Sequence, residues 1–221
     1  YVPDLAILDP CLTAGASREV TAAAGLDAIT QLLESYVSTA ATLFTDALAA
    51  EGLKLAGKSF SIVCGNGSDL TARGDMAYAA YLSGVTLANA NLGVIHGAAG
   101  TLGGERAIPH GIACGTLLAE ATRAVVEKLI NDAGYEHPAV VKYSNAGYYL
   151  NLDKDYKDVK FGVTLLFDRL FRWQDEEQMP LLRAYGFSQD ELLLLAGKTG
   201  LKKTPVTLTA DEIGKIFTAR Q

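Results

Sequence analysis

The chain has 221 residues, of which 49% are hydrophobic and 20% are charged, and its formal net charge is -6. This much apolar side chain can build one sizeable core, so the composition excludes a disordered protein and favours one large domain. The 19 basic residues are scattered among 25 acidic ones, and without a basic face we expect no nucleic-acid partner.

The cysteines and the apolar runs predict a protein of the cytoplasm. Cys11, Cys64 and Cys114 are an odd number with wide spacing and no CxxC pair, which predicts reduced thiols rather than a disulfide framework or a zinc knuckle. We expect each cysteine to be a small buried hydrophobe. No apolar run approaches the about 18 residues of a membrane span, and no signal peptide is recognisable.

The first element in chain order is a short predicted strand that ends at Asp9-Pro10. A lone strand has no pairing partner in the rest of the chain, and the chain does not begin with Met. We therefore expect residues 1–13 to be the strand and crossover from an N-terminal domain that is absent here.

From residue 14 onward the apolar residues recur at helical spacing. Ser17 is the predicted N-cap of the first helix, and a capped helix is expected after Leu208. The other predicted helices are Thr42–Lys58, Leu70 to about Leu92, 112–130, about 137–150, 160–172 and short helices in 175–221. The predicted fold class is all-α, a helical bundle over residues 14–221 with one short leading strand.

Two of the three histidines, His96 and His110, lie in the segment 93–111, which holds six glycines. A single histidine is usually structural, but two in a segment with this backbone freedom favour a metal site. Asp27 interrupts an otherwise apolar helix, where it is either an exposed acid or a ligand. Gln31 projects from the same face one turn later. Two imidazoles and a carboxylate suit Fe²⁺ or Zn²⁺.

These residues stand in motifs that resemble the iron-containing (group III) alcohol dehydrogenases. That family has a G-x-D-A-x-x-H…E-x-Y-x-S signature and two histidine elements 14 residues apart, as His96 and His110 are here. The resemblance covers nearly the whole chain. The matching segments are residues 25–31, 34–38, 93–97, 108–111, 179–181 and 204–209.

The resemblance implies that this chain is the all-helical, metal-binding C-terminal domain of a two-domain, homo-oligomeric enzyme with the dehydroquinate-synthase-like superfold. Its metal, Fe²⁺ or Zn²⁺, would polarise the oxygen of a small alcohol or aldehyde, while the missing domain would hold most of the NAD or NADP. The implied metal ligands are Asp27, His96 and His110, with position 31 as the fourth.

The resemblance also implies three positions near the nicotinamide, namely Leu12, Leu87 and Gly100. The sequence departs from the family twice, because Gln31 replaces the fourth ligand histidine and Gly100 replaces a second histidine beside the nicotinamide. Two alternatives therefore stay open. One is a metal-free reductase similar to maleylacetate reductase, and the other is a non-catalytic helical module for binding or oligomerisation.

Overall fold

Nine α-helices make up most of residues 4–221, the part of the chain that the computed structural model describes. None of these helices is both long enough and apolar enough to cross a membrane. In chain order they are α1 (Arg18–Val37), α2 (Leu43–Gly65), α3 (Leu70–Ala90), α4 (Val94–Glu105), α5 (His110–Ala133), α6 (Pro138–Tyr149), α7 (Val159–Glu176), α8 (Gln189–Ala196) and α9 (Ala210–Ala219).

Hydrogen-bonding side chains begin the helices where the sequence predicts. The Ser17 hydroxyl accepts from the Val20 N–H at the start of α1. Thr42 and Thr45 form a reciprocal capping box at α2, as Thr209 and Glu212 do at α9. Such caps satisfy amide donors that have no partner within the helix. The predicted second helix is correct at its start but continues to Gly65 rather than Lys58.

The core is a single cluster to which each of these helices contributes apolar side chains. α1, α2 and α3 pack against one another, α6 pairs with α7, α8 pairs with α9, and α5 contacts α1, α4, α7 and α9. Phe60 and Trp173 meet edge to face, with ring centroids 4.8 Å apart. Gly25 allows this packing, since a Cβ there would lie 2.6 Å from the Phe60 ring.

The predicted all-helical fold is confirmed, but the predicted leading strand is wrong for the described residues. Residues 4–9 have no regular secondary structure, and a short 3-10 helix, Pro10–Thr13, follows them; residues 1–3 lie outside the described part. A strand requires a hydrogen-bonded neighbour, and residues 4–221 contain no other strand that could pair with it.

The glycine-rich segment 93–111 contains a helix, α4, that the periodicity did not predict. Two glycines of this segment allow close approach of backbones. A Cβ on Gly97 would lie 1.8 Å from the Gly200 carbonyl oxygen, and one on Gly111 would lie 2.6 Å from that of Ala23. These glycines thus set how closely α4 and α5 pack against their neighbours.

Candidate metal centre

Three helices bring the predicted ligands Asp27, His96 and His110 together. Asp27 lies in the middle of α1, His96 in the first turn of α4, and His110 at the first position of α5. The Asp27 Oδ1 lies 3.2 Å from Nε2 of His96 and 3.7 Å from Nε2 of His110. Side chains that lie 69 or more residues from Asp27 in the sequence therefore converge on one carboxylate oxygen.

Cys114 joins this cluster, although the sequence alone predicts only a small buried apolar residue at this position. It follows His110 by one turn of α5, and its Sγ lies 3.6 Å from the Nε2 of His110. One ligand atom from each of Asp27, His96, His110 and Cys114 lies within 4.8 Å of the others. The i, i+4 spacing of His110 and Cys114 was the signal in the sequence that could have revealed this residue.

Glu34 orients His96. Its buried carboxylate accepts from the Ile95 N–H at 2.6 Å and lies 2.8 Å from the His96 Nδ1. These contacts also cap α4, whose N-cap residue Gly93 has no side chain for this purpose. A proton on Nδ1 that is donated to Glu34 leaves the Nε2 lone pair directed at Asp27, which is how a metal-binding histidine is usually held.

The negative charges of the cluster favour the protonated, positively charged form of the His96 ring. Burial by itself lowers the pKa of His96, but the hydrogen bonds with Asp27 and Glu34 outweigh burial and raise this pKa to about 9. Burial likewise raises the pKa of Asp27, but the hydrogen bond with His96 outweighs it and the net pKa is lowered. Carboxylates that hold a proton on this ring can also hold a divalent cation there.

The Cys114 thiol is protonated in these surroundings unless a cation binds it. Burial raises its pKa, and the negative charges of Asp27 and Glu34 raise it further, while the ammonium of Lys202 acts in the opposite direction. Lys202 belongs to the loop after α8, where Gly200 contacts Gly97 on α4. Because metal binding deprotonates thiols, this residue fits a metal ion better than free nucleophilic chemistry.

Gln31 lies on α1 one turn after Asp27, and its side-chain oxygen accepts from the Ser83 hydroxyl at 2.7 Å. Its role as a ligand stays a prediction. The cofactor-contact residues also stay predictions. Leu12 is 82% exposed in the 3-10 helix, and Leu87 is 37% exposed near the end of α3. Gly100 is exposed on α4, one turn after His96, with open space around the position of a Cβ.

The segment 34–38 ties the site to the connection between α3 and α4. The Ser35 hydroxyl donates to the Asn91 carbonyl at 3.1 Å, and the Ser38 hydroxyl donates to the Ala90 carbonyl at 2.5 Å. Glu34 contacts the first turn of α4, while Ser35 and Ser38 hold the end of α3 and the start of the connection to α4. Of this motif, Glu34 contacts His96 directly, and the two serines fix the chain that leads into α4.

The chain is similar in sequence and in fold to known alcohol dehydrogenases and oxidoreductases. The chain is 43% identical over 122 residues to "Alcohol dehydrogenase 4" of Saccharomyces cerevisiae, a match that covers 55% of this chain and 32% of the yeast protein. The crystal structure of a 1,3-propanediol oxidoreductase superposes with a TM-score of 0.84 at 28% identity, covering 96% of this chain and 55% of the other.

A sulfoacetaldehyde reductase from Bifidobacterium kashiwanohense, solved in complex with NAD⁺, shares the fold with a TM-score of 0.80 at 24% identity, over 99% of this chain and 54% of that one. The chain thus spans about a third of the yeast relative and about half of the solved structures. Residues 21–220 match the sequence profile of the C-terminal part of the Fe-containing alcohol dehydrogenase family. The chain therefore belongs to that family and is its all-helical C-terminal domain.

Proposed function

We propose that this chain is the metal-binding part of an NAD- or NADP-linked oxidoreductase that interconverts small alcohols and aldehydes. The observation that carries the proposal is the convergence of Asp27, His96 and His110 from three different helices. Two imidazoles and a carboxylate suit Fe²⁺ or Zn²⁺. The names of the relatives, alcohol dehydrogenase and propanediol oxidoreductase, support the substrate class.

The residues of the site have different roles in binding the metal ion. Asp27 supplies the negative charge that offsets part of the charge of a divalent cation, and Glu34 holds the His96 ring so that its Nε2 faces Asp27. The His110 side chain is 53% exposed, so the cluster is open to a substrate on that side. A bound Fe²⁺ or Zn²⁺ would act as a Lewis acid on the alcohol or carbonyl oxygen.

The nicotinamide would be held mainly by chain outside residues 4–221, since dinucleotide binding of the usual kind needs a parallel sheet. A bound NAD⁺ in the sulfoacetaldehyde reductase supports this cofactor class. We assign residues 1–13 to the crossover between the two domains and residues 14–221 to the metal-binding domain. We also propose a cytoplasmic homo-oligomer, and the three free cysteines agree with a reducing compartment.

The test is metal analysis of the full-length protein, together with assays of alcohol oxidation and aldehyde reduction. We expect near-stoichiometric Fe or Zn, loss of activity with a chelator and recovery when metal is returned. Asp27→Asn keeps the size of the side chain but removes its charge, so metal content and activity should fall together while helicity stays unchanged. Full activity with a chelator present would instead support the metal-free reductase, and absence of both metal and activity would support the binding module.

A further inference from the structure

We propose that the thiolate of Cys114 completes the ligand set of Asp27, His96 and His110, and that this fourth ligand makes the site selective for Zn²⁺ over Fe²⁺. The proposal rests on the metal-dependent function above and concerns which atoms bind the metal. It assigns the fourth position to Cys114 rather than to Gln31.

Three of the distances between the donor atoms are close to those of a tetrahedral ion, and all four donor atoms lie within 4.8 Å of one another. Bonds of about 2.0–2.1 Å to nitrogen or oxygen and about 2.3 Å to sulfur place N and O donors about 3.3 Å apart, and a sulfur about 3.6 Å from them. The structure has 3.2 Å between Asp27 Oδ1 and His96 Nε2 and 3.7 Å between Asp27 Oδ1 and His110 Nε2. The His110 Nε2 and the Cys114 Sγ are 3.6 Å apart.

The side chain of Cys114 is held in this position by the fold. Cys114 is fully buried on α5. It follows His110 by four residues, so both side chains project from the same face of this helix. Gly115, the next residue, packs against Leu26 on α1, the neighbour of Asp27. The approach of α1 and α5 that places Asp27 beside His110 therefore also places Cys114 there.

Gln31 is the weaker candidate for the fourth position. Its oxygen already accepts the Ser83 hydroxyl, and a neutral amide adds no charge. A thiolate and the Asp27 carboxylate together balance the two positive charges of the metal ion. The thiol proton is released to solvent as the sulfur–metal bond forms.

A sulfur ligand also shifts the preference of the site from Fe²⁺ towards Zn²⁺. Two histidines and one carboxylate, with the remaining positions open, are typical of Fe²⁺ sites, whereas thiolate is a soft ligand that favours Zn²⁺. A site with four protein ligands can still bind substrate, because zinc accepts a fifth ligand. The exposed side of His110 is where that fifth ligand would enter.

The decisive experiment replaces the native metal of the full-length protein with Co²⁺ and records its absorption spectrum. A sulfur–cobalt bond gives an intense charge-transfer band in the near ultraviolet, which oxygen and nitrogen ligands do not. We expect this band in the wild type and in the controls Gln31→Ala and Cys64→Ala, and we expect its loss in Cys114→Ser. The Zn²⁺ affinity of Cys114→Ser, measured by chelator competition, should fall about 10- to 100-fold, and its Fe²⁺ affinity should fall less.

Several outcomes would overturn the proposal. Cobalt that binds to the wild type without the band would remove sulfur from the site and leave the metal-dependent function intact. A band that survives in Cys114→Ser would place the sulfur elsewhere, and equal losses of Zn²⁺ and Fe²⁺ affinity would refute the selectivity. A wild type that binds no metal would overturn this proposal and the proposed function together. Even if Cys114→Ser fails to fold, a wild-type band that survives in Cys64→Ala assigns the sulfur to Cys114, because the remaining cysteine, Cys11, is exposed and outside the cluster.

Discussion

Glu34 is the residue on which the orientation of His96 depends, because one of its oxygens accepts from the Ile95 N–H and the other lies beside the His96 Nδ1. A glutamine has the same shape but only one acceptor oxygen. In Glu34→Gln, the oxygen that keeps the Ile95 contact leaves the NH₂ group against Nδ1. That group can only donate, so the imidazole proton moves to Nε2, the nitrogen that would bind the metal.

Glu34→Gln should therefore lower metal affinity by about 10- to 100-fold, as other changes to groups that orient ligands do. Chelator competition on the purified variant measures this loss. Glu19→Gln, an exposed acid on the same helix, is the control and should bind metal like the wild type. Unchanged affinity in Glu34→Gln would show that Glu34 serves only to cap α4.

Cys11 and Cys64 should differ sharply in their rate of alkylation. Cys11 is exposed, whereas Cys64 and Cys114 are buried, and burial raises the pKa of Cys64 to about 12. Alkylation needs the thiolate, so raising the pH from about 7 to 9 should speed the labelling of Cys11 and leave Cys64 unlabelled until the protein unfolds. Mass spectrometry after timed iodoacetamide treatment measures each site, and native labelling of Cys64 at a rate similar to Cys11 would contradict this prediction.

From the sequence, candidate site residues could be recognised only where a polar residue is unusual for its position. Asp27 interrupts an apolar helix, and His96 and His110 are two of only three histidines, so their types alone indicated chemistry. Cys114 looked like any buried cysteine, and Glu34 stood out only as part of the matching segment 34–38. Their roles depend on how α1, α4 and α5 cross, which no spacing within one helix determines.

At the scale of elements, the sequence predicted the long helices well because their caps and apolar stripes are local signals. Ser17 and Thr209 mark helix starts in both the sequence and the structure. The prediction failed for α4 because glycine has a poor helix propensity. Packing against α5 and the 197–205 loop stabilises this helix in spite of that propensity.

The glycines of α4 should therefore respond to alanine in opposite directions. Gly97→Ala places a methyl group within 1.8 Å of the Gly200 carbonyl, and backbone in contact with backbone cannot rotate away. The helix or the loop must shift, which should cost about 1–3 kcal/mol of unfolding free energy and weaken metal binding at the neighbouring His96.

Gly103→Ala is the matched control, since no atom lies within 4 Å of its Cβ position. Its higher helix propensity should stabilise the protein by up to about 1 kcal/mol and leave metal affinity unchanged. Urea unfolding and chelator titration of the two variants test this pair. Equal stability of Gly97→Ala and the wild type would mean that the contact with Gly200 is not maintained in solution.

At the scale of the whole molecule, contacts among α1, α4 and α5 bring Asp27, His96 and His110 together. Cys114 and the chain neighbours of Asp27 and His96, namely Leu26 and Ile95, belong to the same continuous core, so the described residues should suffice to fold and bind a metal ion. Hydride transfer has a further requirement, since it needs a nicotinamide positioned beside the substrate carbon. Residues 4–221 contain no strand and therefore no dinucleotide-binding sheet.

Residues 1–221 produced alone should consequently be helical, bind one Zn²⁺ or Fe²⁺ per chain, and show no oxidation of alcohols with NAD or NADP. Circular dichroism, metal analysis and a nicotinamide absorbance assay measure these three properties on one sample. The full-length protein, assayed in parallel, is the control for substrate and conditions. Turnover above background by residues 1–221 would mean that the helical bundle itself binds the nicotinamide. Loss of metal binding in residues 1–221, with metal retained by the full-length protein, would mean that the geometry of Asp27 and the two histidines depends on the rest of the protein.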